Sequence, residues 1–170
     1  AISLQRRFPG LALTFVAERL RGNELPDFVR SVREDRSRHA EGHPNFDVRP
    51  PGPRAEHMVI RHVQPADDGT FGYDLYDSAQ SYRAEVDAAL RDGGYVATGP
   101  ILLARDRFGP KSPERTSVVI RAATYRTVLV PASAAERERL AEGVVGIAFR
   151  TAELVRSVLP PEWERYLHVH

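Results

Sequence analysis

Residues 69–94 read GTFGYDLYDSAQSYRAEVDAALRDGG. The segment passes from a turn into a short aromatic strand and then into a helix with its own start and stop signals. Asp77 with Gln80 three positions later makes a capping box. Tyr82, Val86, Ala89 and Leu90 recur at the spacing of one buried helix face. Gly93-Gly94 ends that helix. Upstream, EHMVIRHVQ (56–64) alternates as a strand of about eight residues. ADDGT (66–70) supplies tight-turn chemistry, so 71–75 is expected to pair back on that strand as a hairpin.

Outward from this centre, residues 1–40 read as helical. Leu11 and Phe15, then Leu13, Val16 and Leu20, fall at helical spacing after Pro9-Gly10, and a second helix restarts at Pro26. EGHPNFDVRPPGPR (41–54), with four prolines and two glycines, closes that region. YVATGPILLA predicts two short extended pieces broken at Gly99-Pro100. TSVVIRAATYRTVLV predicts a long strand, and Ser133 with Glu136 a capping box. VVGIAFR predicts another strand, and Thr151 the start of a helix. Pro160-Pro161 stops that helix, and YLHVH opens a further strand. Hairpin-linked strands with helices grouped between them predict an α+β domain with a mostly antiparallel sheet.

The totals describe an ordinary folded chain. It has 170 residues, 42% of them apolar and 28% charged. A net charge of +1 gives no general attraction to nucleic acid or to anionic membrane. The absence of cysteine excludes disulfides, thiolate nucleophiles and thiolate metal sites within this sequence. No run approaches the ~18 apolar residues of a membrane helix, and no signal peptide is visible. Ala1 and the ending RYLHVH are what a piece cut from a longer chain would show.

Catalytic and metal motifs are sparse. ADDGT approaches a phosphatase signature, but Ala66 stands where the nucleophilic acid would be, so the turn reading holds. His39 and His43 have metal spacing in a stretch that Gly42 and Pro44 break. His57 and His62, five apart, are expected on opposite faces of a strand, and His168 and His170 have no third ligand. There is no Walker loop, nucleophile elbow or H-E-x-x-H. Neither a cofactor nor a metal is expected.

Several segments, in order, carry a family resemblance. They are Phe8-Pro9-Gly10, a strand ending at Pro65, Gly-Tyr-Asp-Leu at 72–75, a helix bearing Arg83, Thr-Gly-Pro at 98–100, and Gly-x-x-Gly-x-x-Phe-Arg at 143–150. Together they resemble the CHASE domain, an extracytoplasmic sensory module of histidine kinases, nucleotide cyclases, diguanylate cyclases and cytokinin receptors. The resemblance implies a stalk helix followed by PAS-like α+β units, the membrane-distal one holding the ligand. On that basis residues 1–40 are the end of a helical stalk, 41–160 the distal PAS-like unit and 161–170 the start of a second unit. The parent would be a histidine kinase or diguanylate cyclase anchored in the inner membrane. Its sensor would be periplasmic, paired as a homodimer through the stalk, and the fragment itself not an enzyme.

Two departures bear on the ligand. Pro65 stands near the position of the acid that grips adenine in cytokinin-type receptors, which argues against adenine recognition. RAATYR replaces the more usual Pro-Val-Tyr, although Tyr125 still matches. Thr98 matches the family's pocket-lining threonine. Alternation puts Val119, Arg121, Ala123 and Tyr125 on one strand face. Arg121 has two readings: an outward or internally paired residue, or the anchor of a ligand carboxylate. Tyr73 and Tyr125 each offer a flat apolar body with a polar tip. Asp74 has three readings: an acid bonded to turn N–H groups or to an arginine such as Arg83, a ligand contact, or an exposed residue. Val145, Ile147 and Phe149 read as core. The ligand-binding expectation is therefore Arg121, Tyr125, Thr98, Tyr73 and Asp74. The leading function is a sensor of a small molecule, with a carboxylate fitting Arg121. The alternatives are a ligand-free dimerisation or docking module, and a hydrolase built on Asp67, Asp68 and Asp74.

Overall fold

The structure is a computed structural model that describes residues 7–77, 82–106 and 112–158. It is α+β, as the alternation predicts. Among the described residues, six strands form one antiparallel sheet and four α-helices pack around it. The strands are β1 (Leu11–Arg21), β2 (Glu56–Gln64), β3 (Tyr95–Ala97), β4 (Ile101–Leu102), β5 (Thr116–Tyr125) and β6 (Ala141–Arg150). The helices are α1 (Leu25–Glu34), α2 (Arg83–Asp92), α3 (Ala134–Leu140) and α4 (Thr151–Val158). The order across the sheet is β2-β1-β6-β5-β3, with β4 continuing the β3 edge along β5. Gly99-Pro100 separates β3 from β4, as expected of a glycine-proline break in an edge strand. This arrangement is compatible with a PAS-like unit. The proline stop at Pro160-Pro161, the strand expected in YLHVH, and His168 and His170 lie outside the described residues.

One element departs from the sequence reading. Leu11–Arg21, expected as a helix ending a stalk, is instead an interior strand of the sheet, paired with both β2 and β6. Leu11 and Phe15 are four apart, a spacing that shares a face in a helix and in a strand alike. The burial of Leu11, Leu13, Phe15 and Ala17, with Thr14 and Val16 half-exposed between them, follows the period of two. The second expected helix is present as α1.

The inner face of the sheet carries the main core. Leu13, Phe15, Met58, Ile60, Val119, Val144 and Ala148 meet Val86, Ala89 and Leu90 of α2. α2 ends at Gly93 in the left-handed conformation (φ 71°), the backbone state that glycine adopts without penalty. It is described from Arg83, and the Gln80 half of its expected capping box lies outside the described residues. On the outer face, among the described residues, a second cluster forms where Phe28 and Val32 of α1 join Phe46, Val48 and Val59. Phe28 and Phe46 meet edge to face with centroids 6.0 Å apart, a favoured aromatic arrangement.

Val145 and Ile147, read as core, face outward and are 38% and 40% exposed. Gly146 between them faces inward, with no side chain, because the space there is taken. A Cβ on Gly146 would lie 2.2 Å from Cζ of Phe15, so the Phe15 ring sits directly on the bare backbone. A register shift at Val16/Ala17 leaves Arg61 without an opposite residue on β1, so His57 pairs with Leu20 and His62 with Val16. Such a bulge reverses the alternation beyond it. The two histidines therefore share one face rather than opposite ones.

The turn at 67–70 forms as expected, with the Gly69 N–H and Thr70 hydroxyl donating to Asp67. Residues 72–75 run back along β2 through Gly72 to Ile60, Ile60 to Tyr73 and Leu75 to Met58 hydrogen bonds. The chain enters β1 and leaves β6 side by side, where the Arg150 N–H donates to the Gly10 carbonyl at 2.7 Å.

Candidate functional site

Arg121 lies at the centre of β5, opposite Gly146 of β6 on one side and Val96 of β3 on the other. Strand parity turns it to the inner face. There it is only 2% exposed. Its neighbours are Leu13, Phe15, Ile60, Thr70, Tyr73, Leu75, Val119 and the wall formed by Ile101, Leu103 and Ala104. With Tyr82, these side chains line a small cavity of about 30 Å³. The guanidinium carbon sits 5.4 Å from the centroid of the Tyr82 ring. At that distance the ring face supplies a cation–π contact. Neither Nε nor Nη1 of Arg121 has a hydrogen-bond partner among the described residues.

Such a site is electrostatically unfavourable as it stands. A charge removed from water costs about several kcal/mol even after relaxation, unless a partner and hydrogen bonds compensate it. Burial pushes the Arg121 pKa below its ordinary value, and the charge of Glu85, then Tyr82, pulls it partly back. Arginine stays protonated near neutral pH even so. The result is a cation in an apolar chamber with donors to spare.

The other expected site residues divide clearly. Tyr73 lines the same cavity, and its hydroxyl donates to Asp77 at 3.0 Å. Thr98 stands outside the lining and is buried in the β3–β4 connection, where its hydroxyl accepts from the Val119 N–H at 3.0 Å. Tyr125 lies at the far end of β5, its hydroxyl bonded to the Leu90 carbonyl at 3.2 Å. Asp74 is fully buried and saturated by protein groups. Its Oδ1 accepts from the Met58 and Tyr76 N–H groups at 3.0 Å each, and its Oδ2 meets His57 Nδ1 at 2.8 Å and Arg54 at 3.4 Å. Arg83 instead reaches Glu56 and Asp87. The backbone-bonding reading of Asp74 thus describes its surroundings, with Arg54 in the place of Arg83.

Tyr82 is the site residue that the sequence did not single out. Its helical spacing marks it as core, but its hydroxyl also donates to the Leu102 carbonyl at 2.9 Å, tying the start of α2 to β4. Larger hollows lie on the surface. One of them, about 940 Å³, is lined by Arg38, His39, Arg61, His62, Asp67 and Asp68 among others. It is open, and its central charges already have partners: Arg61 with Glu18 and Asp35, Asp67 with Arg105. No group of three or more His, Asp or Glu residues is placed to hold a metal among the described residues.

A family model for the CHASE domain matches residues 1–169. The chain belongs to the CHASE domain family. CHASE domains are extracytoplasmic sensory modules of signalling proteins, and their task is detection rather than catalysis. No curated protein matches this CHASE domain. No helix among its described residues is long and apolar enough to cross a membrane.

Beside the cavity, one ion pair ties the turn after β4 to the start of α4. The cavity wall at Ile101, Leu103 and Ala104 runs into the 3-10 turn Ala104–Asp106. Asp106 accepts from Arg150 at 2.6 Å, and Arg150, the last residue of β6, leads directly into α4.

Proposed function

We propose that this CHASE domain is the periplasmic, ligand-binding sensor of an inner-membrane histidine kinase or diguanylate cyclase, and that its ligand is a small carboxylate held by Arg121. One observation carries the reading: a buried guanidinium, with no hydrogen-bond partner at Nε and Nη1 among the described residues, lines a small cavity. A carboxylate supplies what that group lacks, through charge-assisted hydrogen bonds. Tyr73 and Tyr82 give the chamber flat apolar walls, and Thr70 adds a hydroxyl.

Signalling needs a difference in affinity between two arrangements of the domain. At its present size the chamber has room for about one or two waters, so a carboxylate enters only if a wall moves. The lightest wall is the two-residue β4 and the turn after it. Displacement there would act on Asp106 and so on Arg150 and α4, and a stalk-paired homodimer would relay it onward.

The test is a thermal-shift series with acetate, propionate, lactate and succinate. Ligand at about 100 times its dissociation constant adds about 2.7 kcal/mol, or roughly 5–10 °C in midpoint for a domain of this size. The shift should vanish in Arg121→Met. Equal shifts in both proteins would remove Arg121 from the site.

A second reading has its own support. Ile120, Val145 and Ile147 form a partly exposed apolar strip on the outer sheet face among the described residues. Contiguous exposed apolar surface suits a docking module. Concentration-dependent association without any carboxylate response would favour it.

A further inference from the structure

Among the described residues that line the cavity, Arg121 is the one charged side chain, and Thr70, Tyr73 and Tyr82 are the ones that carry a hydroxyl. Each of these hydroxyls has its single proton engaged by a protein acceptor. Thr70 donates to Oδ2 of Asp67 at 2.8 Å, Tyr73 to Oδ2 of Asp77 at 3.0 Å and Tyr82 to the Leu102 carbonyl at 2.9 Å. The direction of all three bonds is fixed, because carboxylate and carbonyl oxygens only accept. Asp67 and Asp77 are held in turn by Arg105 at 3.3 Å and Arg54 at 3.9 Å.

The lining side chains therefore offer protons to a ligand at one point only. Arg121 has N–H groups without an acceptor among the described residues, which suits one carboxylate. Elsewhere a ligand meets aliphatic or aromatic carbon, or a hydroxyl oxygen whose proton is already given. An oxo group or a second carboxylate brings further acceptors into this chamber and finds no proton for them. Buried without a partner, such a group loses the hydrogen bonds that it made in water. The acids bonded to Thr70 and Tyr73 repel a second anion as well. A hydrocarbon tail leaves nothing unsatisfied, and it gains from burial against Leu13, Phe15 and Leu103.

Resting on the sensor reading above, we propose that the ligand class is the short aliphatic monocarboxylates, and that the site rejects 2-oxo acids and dicarboxylates of equal length. Asp77 is a positioning residue for this choice. By taking the Tyr73 proton, it keeps that hydroxyl from serving an acceptor on the ligand.

Isothermal titration of the purified chain with propionate, pyruvate and malonate, acids of equal carbon number, tests the class. Propionate should bind about tenfold tighter, or more, than either of the others. Asp77→Ala releases the Tyr73 hydroxyl, and pyruvate should then gain about tenfold on propionate. General loosening of the site would weaken both acids and leave their ratio alone. Circular dichroism melts show whether the variant is folded, and the comparison in the parent chain decides the class in either case. Pyruvate or malonate binding the parent as tightly as propionate overturns the class and leaves the carboxylate sensor intact. An unchanged pyruvate-to-propionate ratio in folded Asp77→Ala overturns the role of Asp77. Silence from all three acids overturns both the class and the sensor reading.

Discussion

The guanidinium of Arg121 rests on the Tyr82 ring, 5.4 Å from its centroid, while two of its nitrogens find no acceptor among the described residues. A residue kept for stability would be paired, so this geometry sets function and stability against each other. Arg121→Met fills much of the same volume with apolar atoms and removes the buried charge. The ligand-free domain should therefore be more stable by about 1–4 kcal/mol, read from urea unfolding at constant m-value, while losing carboxylate binding. A destabilised variant would mean that Arg121 is held by internal interactions.

Asp74 should behave in the opposite way. Asp74→Ala leaves the Met58 and Tyr76 N–H groups, His57 and Arg54 without their shared acceptor inside the protein. The expected loss is about 3–5 kcal/mol, with Asp74→Asn losing less because one acceptor oxygen survives. Urea denaturation of the two variants checks the order. Stability unchanged in both would point to a ligand role for this acid instead.

Gly146 is required by packing. A methyl group at that position would meet the Phe15 ring at 2.2 Å, and Phe15 is confined by the core on its other side. Gly146→Ala should cost about 1–3 kcal/mol. Adding Phe15→Leu should cost less in the variant background than in the parent, because the smaller side chain relieves the clash. The double-mutant cycle measures that difference, and strict additivity would dissociate the two residues.

The features legible in the sequence are those with a single physical reading. β2 alternates without competition, and the Ser133 and Glu136 box caps α3 through both reciprocal bonds. β1 reads as a helix because Leu11 and Phe15 satisfy two periods at once, and the deciding fact, pairing to β2 and β6 on both sides, is long-range. The faces of His57 and His62 depend on a bulge at Arg61 that no local signal announces. Large Val145 and Ile147 read as core, but the Phe15 ring claims the inner space above Gly146. At the site, a lone arginine of inward parity in an apolar strand is visible.

Asp106 allows a test of the cavity-to-helix link by pH. Burial raises its carboxyl pKa, but the hydrogen bond and charge of Arg150, with Arg105 and Arg115, outweigh this and hold it below the ordinary 3.8. A group depressed on folding contributes stability above its unfolded pKa and loses it as pH falls through the folded value. The stability gap between the parent and Asp106→Asn should thus be about 1–3 kcal/mol and flat from about pH 7 down to about pH 5. It should shrink as the pH drops below 3.8. Other acids titrate in both proteins and cancel in the difference. The same variant, with the ion pair to Arg150 removed at the head of α4, should still bind carboxylate in the cavity but change the hydrogen-exchange protection of α4 less on binding. A gap that widens on acidification would reverse the sign of the ion pair's contribution. Undiminished protection changes in α4 would route the signal through β6 alone.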